Sequence, residues 1–214
     1  MKKNIALALM LVISAVALAQ RKTLSATRYK EFRPSVITFT DGHQSRQSLT
    51  NIFLKNSTLL FPRGEYTMEA NMDNIVSVDF EGDRSFVNIE NKLAYIVDTY
   101  KGNTLYCIEL FDQEAYERNL KNNVNISNLD LSSINNDIIS TTTLDLNNEE
   151  DYKLPIFKHF YMSLNGEMVK VHERTLLRML SKEKRTMMKR IMATPNFSWQ
   201  REESLMQLLK AITD

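Results

Sequence analysis

The chain has 214 residues, of which 43% are hydrophobic and 25% are charged. This is an ordinary composition for a globular protein, and it excludes a chain that is disordered throughout. The formal net charge is +1, so no global field draws in nucleic acid or an anionic membrane, and an electrostatic partner would have to bind a local patch. The single cysteine excludes an internal disulfide, so the fold must rest on a packed core.

The first nineteen residues have the pattern of a secretory signal peptide. Lys2 and Lys3 precede an apolar run over residues 5–16, and Ala17-Leu18-Ala19 forms a small-x-small cleavage site before Gln20. The apolar run is shorter than the roughly 20 residues that span a bilayer, which disfavours the alternative of a retained anchor. A bacterial lipoprotein would need a cysteine just after the apolar run, and none lies there. We expect cleavage near Ala19/Gln20 and an exported periplasmic or secreted protein with neither a lipid anchor nor a membrane span.

The segment 20–34 is polar and basic, which predicts a lightly held arm. Residues 36–40 then form a β-branched run that ends at Asp41-Gly42, a dipeptide that favours tight turns between strands. The pattern predicts a first hairpin that leads into residues 48–54.

Residues 48–111 predict a series of short antiparallel strands. Turn residues recur about every 8 to 12 positions between β-branched and aromatic runs, a spacing that is typical of a meander or a small barrel. The predicted strands cover residues 51–54, 58–61, 66–70, 75–80, 86–89, 93–97 and 105–110. We therefore expect a β-meander over residues 20–111, curled or barrel-like, with Cys107 buried as a small hydrophobic side chain.

Residues 112–151 change in character. Asp112 can cap a short helix over residues 113–121, and an asparagine-rich excursion follows over residues 119–148. Ten acidic and two basic residues lie between Glu109 and Asp151, a local charge of −8. Strand patterning is weak here, and residues 138–146 are the best candidate for an extra strand.

Residues 152–214 predict a hairpin and three helices. Asn165-Gly166 lies between alternating runs and is a strong hairpin signal. Leucines and methionines then recur at helical spacing, Thr194-Pro195 ends the second helix, and Ser198 is the predicted cap of the third. The predicted fold class is α+β, with the meander and hairpin covered by C-terminal helices and residues 20–214 in one domain.

No local motif carries catalytic chemistry. Asp41, His43 and Ser45 lie within five residues of one turn, where they cannot align as nucleophile, base and orienting group, so we interpret them as solvated turn residues. The five glycines form no phosphate-binding loop, and the three histidines lack metal-ligand spacing. We assign no catalytic, cofactor-binding or metal-binding residue and expect no cofactor.

Two features after residue 162 leave alternatives open. Residues 167–192 carry eight basic and three acidic residues, which could bind an anionic polymer, although pairing with the acidic segment or a solvated face is the favoured interpretation. Seven of the eleven methionines lie from Met162 onward; they could hold Cu(I), but packing or an adaptable groove is favoured. Together these features define a candidate binding seam between sheet and helices. Its residues are Met187, Met188, Met192, Lys184, Arg185 and Trp199.

Several runs resemble uncharacterised secreted or periplasmic proteins of the Bacteroidota. They are residues 52–60, 68–80, 93–98, 171–174, 180–184 and 197–199. The resemblance covers most of the chain after residue 20. It implies that the protein is located in the envelope of a Gram-negative cell or outside the cell. It implies no activity and no catalytic residues.

The sequence favours a non-catalytic envelope binding or interaction module. Its partner would be an unidentified envelope protein or polymer, and nucleic acid is not expected. The alternative is a small envelope hydrolase whose carboxylates converge only in the fold. A pocket that joins distant acidic residues or histidines with shifted pKa values would favour the hydrolase.

Overall fold

The computed structural model describes residues 26–123 and 154–214, and in this part of the chain ten strands form one sheet. The strands are β1 Arg33–Phe39, β2 Gln44–Phe53, β3 Thr58–Arg63, β4 Tyr66–Glu69, β5 Ile75–Phe80, β6 Ser85–Ile89, β7 Lys92–Tyr100, β8 Asn103–Phe111, β9 Ile156–Leu164 and β10 Glu167–Lys170. The predicted signal peptide, the cleavage site and residues 124–148 of the predicted excursion, with its candidate strand over residues 138–146, lie outside the described residues.

The strands run antiparallel in the order β10-β9-β8-β7-β6-β5-β1-β2-β3-β4. β1 therefore separates two meanders, and the continuous meander predicted for residues 48–111 is interrupted between β4 and β5. A short 3-10 helix, Met72–Asn74, makes that connection, and the Asn71 side chain caps it by accepting a hydrogen bond from the Asp73 amide. β5 then pairs with β1, since Ile37 lies opposite Val78.

The sheet curls into a half-barrel. The Leu93 amide donates to the Ser57 carbonyl at 2.7 Å, and the Ser57 hydroxyl donates to the Leu93 carbonyl at 2.8 Å. The Phe111 amide donates to the Leu54 carbonyl at 2.8 Å. These bonds join the turn between β2 and β3 to β7 and β8, which are distant in the strand order. The predicted curled antiparallel sheet is confirmed.

One row of cross-strand neighbours forms the centre of the concave face. It runs Ile37, Val78, Phe86, Tyr95, Cys107 and Phe160, and each residue lies opposite the next on the neighbouring strand. All six are buried, as period-two alternation requires when one face of a sheet is covered. The predicted burial of Cys107 is confirmed.

Three helices lie in the same hydrophobic cluster as this row: α2 Glu173–Met179, α3 Lys182–Met192 and α4 Glu202–Thr213. α1, Gln113–Asn123, follows β8 and has the predicted cap, because the Asp112 carboxylate accepts from the Ala115 amide at 2.8 Å. The helices bring their buried leucines and methionines to the cluster, among them Leu176, Met188, Leu205, Leu208 and Leu209. No helix within the described ranges combines the length and the apolar character that crossing a membrane demands.

The predicted cap of the last helix is wrong. α4 begins at Glu202 and its N-cap is Arg201, whose side chain makes no capping hydrogen bond. Ser198 lies in the preceding turn, where its amide donates to the Ser204 hydroxyl at 3.2 Å. The Ser198 hydroxyl accepts from the Gln200 amide at 3.2 Å within that turn, so it does not reach the first turn of α4.

The prediction of a lightly held arm is also wrong for residues 26–32, which we call the arm. Thr27 pairs with Phe53, and the buried Asn51 side chain replaces a missing strand partner: it accepts from the Tyr29 amide and donates to the Tyr29 carbonyl. Phe32 is 3% exposed. Apolar and amide anchors thus fix a segment whose overall composition is basic and polar.

Candidate functional site

A polar cluster lies in the seam between the concave face and α4. Tyr95 comes from β7, Glu109 from β8 and Lys158 from β9, where Lys158 lies directly opposite Glu109. Glu202 is the first residue of α4 and Arg28 belongs to the arm. Five segments that are distant in sequence therefore bring charged or hydroxyl groups to one place, next to the buried Cys107.

The groups of the cluster are mutually paired. The Lys158 ammonium lies 2.6 Å from Glu202 Oε1 and 4.0 Å from Glu109 Oε1. The Tyr95 hydroxyl is 2.7 Å from Glu202 and 3.3 Å from Glu109, and the Arg28 guanidinium pairs with the other Glu109 oxygen. The charged side chains are mostly buried, from 14% exposed for Glu109 to 30% for Lys158. The carboxylates of Glu109 and Glu202 and the cations of Arg28 and Lys158 thus neutralise one another between the sheet and α4.

The contact between Lys158 and Glu202 favours the charged form of both groups. Burial opposes ionisation of Lys158 and Glu202, but their mutual contact outweighs it, so the pKa of Lys158 is raised and that of Glu202 is lowered. Burial raises the pKa of the Cys107 thiol to about 12 and also raises the pKa of Tyr95. A general acid or base works best with a pKa near the operating pH. The pKa of Glu202 is lower than usual, and the pKa values of Lys158, Cys107 and Tyr95 are higher than usual. All four values therefore lie further from neutral pH than those of the free groups.

Aromatic rings surround the guanidinium of Arg28. Its Cζ lies 5.1 Å from the centre of the Phe86 ring and 5.4 Å from that of Tyr95. The two rings are themselves edge to face, with centroids 6.2 Å apart. Arg84 stacks on Tyr95 as well, at 4.5 Å. Cation–π contacts of this length are attractive and strengthen as water is removed.

A separate surface recess of about 390 Å³ lies at the other end of β8 and β9. The turn between β9 and β10, the junction of α2 with α3, and the end of α4 enclose it. Its lining residues are Asn103, Leu164, Asn165, Glu167, Met179, Leu180, Ser181, Lys184, Ile212 and Thr213. The volume lies at the lower end of the range of ligand pockets, roughly 300–1,000 Å³.

The structure does not bring the six predicted seam residues into one site. Lys184 lines the recess, and its ammonium donates to the Ile212 carbonyl at 2.6 Å. Arg185 Nε donates to the Leu180 carbonyl at 2.8 Å, which ties α3 to the end of α2. The others pack or lie at the surface: Met188 is fully buried, Met192 and Trp199 pack on the core, and Met187 is 36% exposed.

The suspected triad is a turn, as predicted. His43 Nδ1 lies 2.5 Å from Asp41 Oδ1 and its ring stacks on Phe39, but the Ser45 hydroxyl accepts from Gln47 instead. Across residues 26–123 and 154–214, no group of three or more histidine, cysteine, aspartate or glutamate side chains could hold a metal ion.

Sequence reasoning missed the polar cluster and the recess. For Glu109 and Lys158 a signal existed, because both alternate onto the apolar face of their strands, where an isolated charge needs a partner. The identity of that partner could not be predicted, since Arg28 and Glu109 are 81 residues apart. Comparisons of the chain with protein-family models, curated proteins and solved structures gave no match.

Proposed function

We propose that this protein is an exported, non-catalytic binding or interaction module that uses the recess to hold a segment of an envelope protein or polymer. The signal-like pattern of residues 1–19 supports export. The observation that carries the binding role is the recess itself, an open cavity of about 390 Å³ between the hairpin and the helices.

The lining of the recess defines the ligand that it suits. Lys184 offers a cation and Glu167 an anion on opposite elements, while Met179 and Leu180 add apolar surface. Met179 is 39% exposed, which is large for an apolar side chain on a helix that packs in the core. A methionine at the rim of a groove adapts to different shapes. This mixture fits an extended polymer or peptide with polar groups and a short apolar stretch.

Site-specific photo-crosslinking tests the proposal. A benzoylphenylalanine replaces Met179 in one variant and Met187 in a matched control, since both are half-exposed helical methionines and only Met179 lines the recess. We expect a discrete crosslinked product with an envelope fraction from the Met179 position. We expect none from Met187. Equal crosslinking from both positions, or from neither, would contradict a ligand at the recess.

The polar cluster favours the alternative of a hydrolase by its composition, because Glu109 and Glu202 both contact the Tyr95 hydroxyl. Its electrostatics oppose catalysis, since Lys158 and Arg28 neutralise both carboxylates. A screen of ester, glycoside and peptide substrates with Glu202→Gln as the control distinguishes the two functions. Turnover that this variant abolishes would reverse the order of the proposals.

A further inference from the structure

The pocket around Arg28 has the features of a binding site for a planar cation. Phe86 and Tyr95 present ring surfaces to the guanidinium, and Glu109 lies beside it with its carboxylate 14% exposed. A guanidinium is flat, delocalised and weakly hydrated, so it gains more than an ammonium from ring faces and a carboxylate together.

The residue that fills this pocket comes from the arm, which pairs with the end of β2 around Thr27 and bends over residues 28–30. The Arg28 amide donates to the Ile52 carbonyl at 3.0 Å, and the Leu54 amide donates to the Ala26 carbonyl at 2.8 Å. Thr27 and Phe53 form an antiparallel bridge between these bonds. The end of β2 thus pairs with a short piece of backbone while the side-chain pocket receives its arginine, a combination of backbone pairing and side-chain pocket that sheets also use to bind peptides.

We propose that Phe86, Tyr95 and Glu109 form a recognition site for arginine, which the arm occupies in this structure. The partner that it fits is an extended segment of another protein that carries an arginine. The arm then acts as an internal competitor for that segment. This inference concerns a different surface from the recess and does not depend on the proposed function.

Two features of the contact make exchange feasible. Arg28 Nε is buried and has no hydrogen-bond partner in the described part of the chain, so the arm leaves one donor of the guanidinium unsatisfied. Around Thr27 the arm and the end of β2 share two backbone hydrogen bonds, Arg28 to Ile52 and Leu54 to Ala26. A competing segment has to replace these two bonds together with the contacts of the arginine.

The test uses the full protein with Arg28→Ala, and argininamide as the probe. Lysinamide carries the same charge without the planar group and is the control probe. We expect the variant to bind argininamide at least about tenfold more tightly than lysinamide, in a saturable calorimetric titration. Wild-type protein should bind neither, because Arg28 fills the pocket.

A second substitution locates the site. Arg28→Ala combined with Glu109→Gln should lose the preference for argininamide. Arg46→Ala is the matched control, since it removes an arginine from the exposed pair with Glu81 and leaves no pocket. It should bind neither probe. Equal binding of the two amides, or a preference that survives Glu109→Gln, would show that Arg28 is only a structural ion pair.

A labelled peptide with the sequence of residues 26–32 tests the partner. It should bind Arg28→Ala at least about tenfold more tightly than the same peptide with alanine in place of arginine. Equal affinity of the Arg28→Ala protein for the two peptides would overturn the proposal that the partner is an arginine-containing segment. If Arg28→Ala does not fold, Arg28→Lys keeps the charge and loses the planar group, and the same peptide pair and the same outcomes apply.

Discussion

Ser57 closes the curl of the sheet from a strained backbone. Its φ is 58°, a region that residues with a Cβ rarely adopt, and it is 2% exposed. Its hydroxyl and its carbonyl both bond to Leu93 on β7. Two hydrogen bonds from one residue therefore hold the turn between β2 and β3 against a strand that is not its neighbour.

Replacing Ser57 separates the hydrogen bond from the strain. Ser57→Ala loses a buried hydrogen bond and keeps the positive φ, so we expect the free energy of unfolding to fall by about 1–2 kcal/mol. Ser57→Gly loses the same bond but relieves the strain, and it should be about 1 kcal/mol more stable than the alanine variant. Urea unfolding of the two variants measures the difference. The reverse order would mean that the positive φ of residue 57 carries no strain for glycine to relieve.

Cys107 makes stability depend on pH in the alkaline range. Its pKa is raised by burial to about 12, whereas an unfolded cysteine ionises near about 8.5. Above that pH the unfolded chain releases a proton that the folded chain retains, so unfolding becomes easier as the pH rises. Between pH 8 and 10 wild-type protein should lose about 1–2 kcal/mol more stability than Cys107→Ala.

Guanidinium unfolding at several pH values checks this difference. Tyr29 and Tyr161 also have raised pKa values, but they are common to both proteins and cancel in the comparison. Tyr95 contacts Cys107, but burial is the main cause of its raised pKa and remains in the alanine variant. Parallel curves for the two proteins would show that the thiol ionises in the folded state as it does in the unfolded chain.

At the scale of single residues, the alternation of apolar and polar residues along a strand predicted which side chains are buried. It did not predict which charged side chains pair with each other. Cys107 could be placed in the core because its neighbours along β8 alternate in the period of a strand. The charged partners of Glu109 could not be predicted, because Arg28 comes from the arm and Lys158 from β9. Long-range pairing depends on the fold, which a local pattern does not contain.

The start of α4 is the least supported helix end among the three C-terminal helices. His172 and Ser181 cap α2 and α3 with their side chains, whereas the N-cap of α4, Arg201, makes no such bond. Its backbone is extended, with φ −109° and ψ 126°, which suits a capping serine. The helix is held there by packing and by the contacts of Glu202 in the seam.

Arg201→Ser should therefore stabilise the protein. A serine there can accept from an amide of the first turn, and we expect a gain of about 0.5–1.5 kcal/mol over Arg201→Ala in thermal unfolding. The alanine variant removes the same positive charge without supplying a cap, so it isolates the hydrogen bond. Equal stability of the two variants would show that the first turn already has all the partners it needs.

At the scale of elements, the sequence predicted the strands better than their order. Each predicted run within residues 26–123 and 154–171 became a strand, and Asn165-Gly166 became a turn with positive φ at both residues. The place of β1 between β2 and β5 was missed, because a hairpin signal at Asp41-Gly42 specifies only one of its two neighbours. The second neighbour is set by the burial of Ile37 opposite Val78, a contact between strands that are far apart in sequence.

At the scale of the whole molecule, one hydrophobic cluster joins the sheet to the helices. It contains the row from Ile37 to Phe160 together with Leu176, Met188 and Leu208, all buried. The polar cluster adds hydrogen bonds from Glu202 on α4 to Tyr95 on β7 and to Lys158 on β9. The buried side chains of α2, α3 and α4 that pack with the sheet belong to this shared cluster, while a smaller cluster of Ile89, Ala94, Ile108 and Tyr161 lies within the sheet alone.

The protein should consequently unfold in one transition. Trp199, the only tryptophan, packs against this cluster from the segment between α3 and α4, and Cys107, the only cysteine, lies at the centre of the sheet. Trp199 fluorescence and pulsed thiol labelling of Cys107 therefore report on separate layers. In a denaturant titration we expect the same midpoint from both probes.

A core substitution in one layer sharpens this test. Leu208→Ala in α4 removes a fully buried side chain and should lower stability by about 2–5 kcal/mol. Because the two layers share one core, the midpoints of Trp199 fluorescence and of Cys107 labelling should fall together. A variant in which tryptophan fluorescence changes at lower denaturant while the thiol stays protected would show instead that the helices unfold as a separate unit and leave the half-barrel intact.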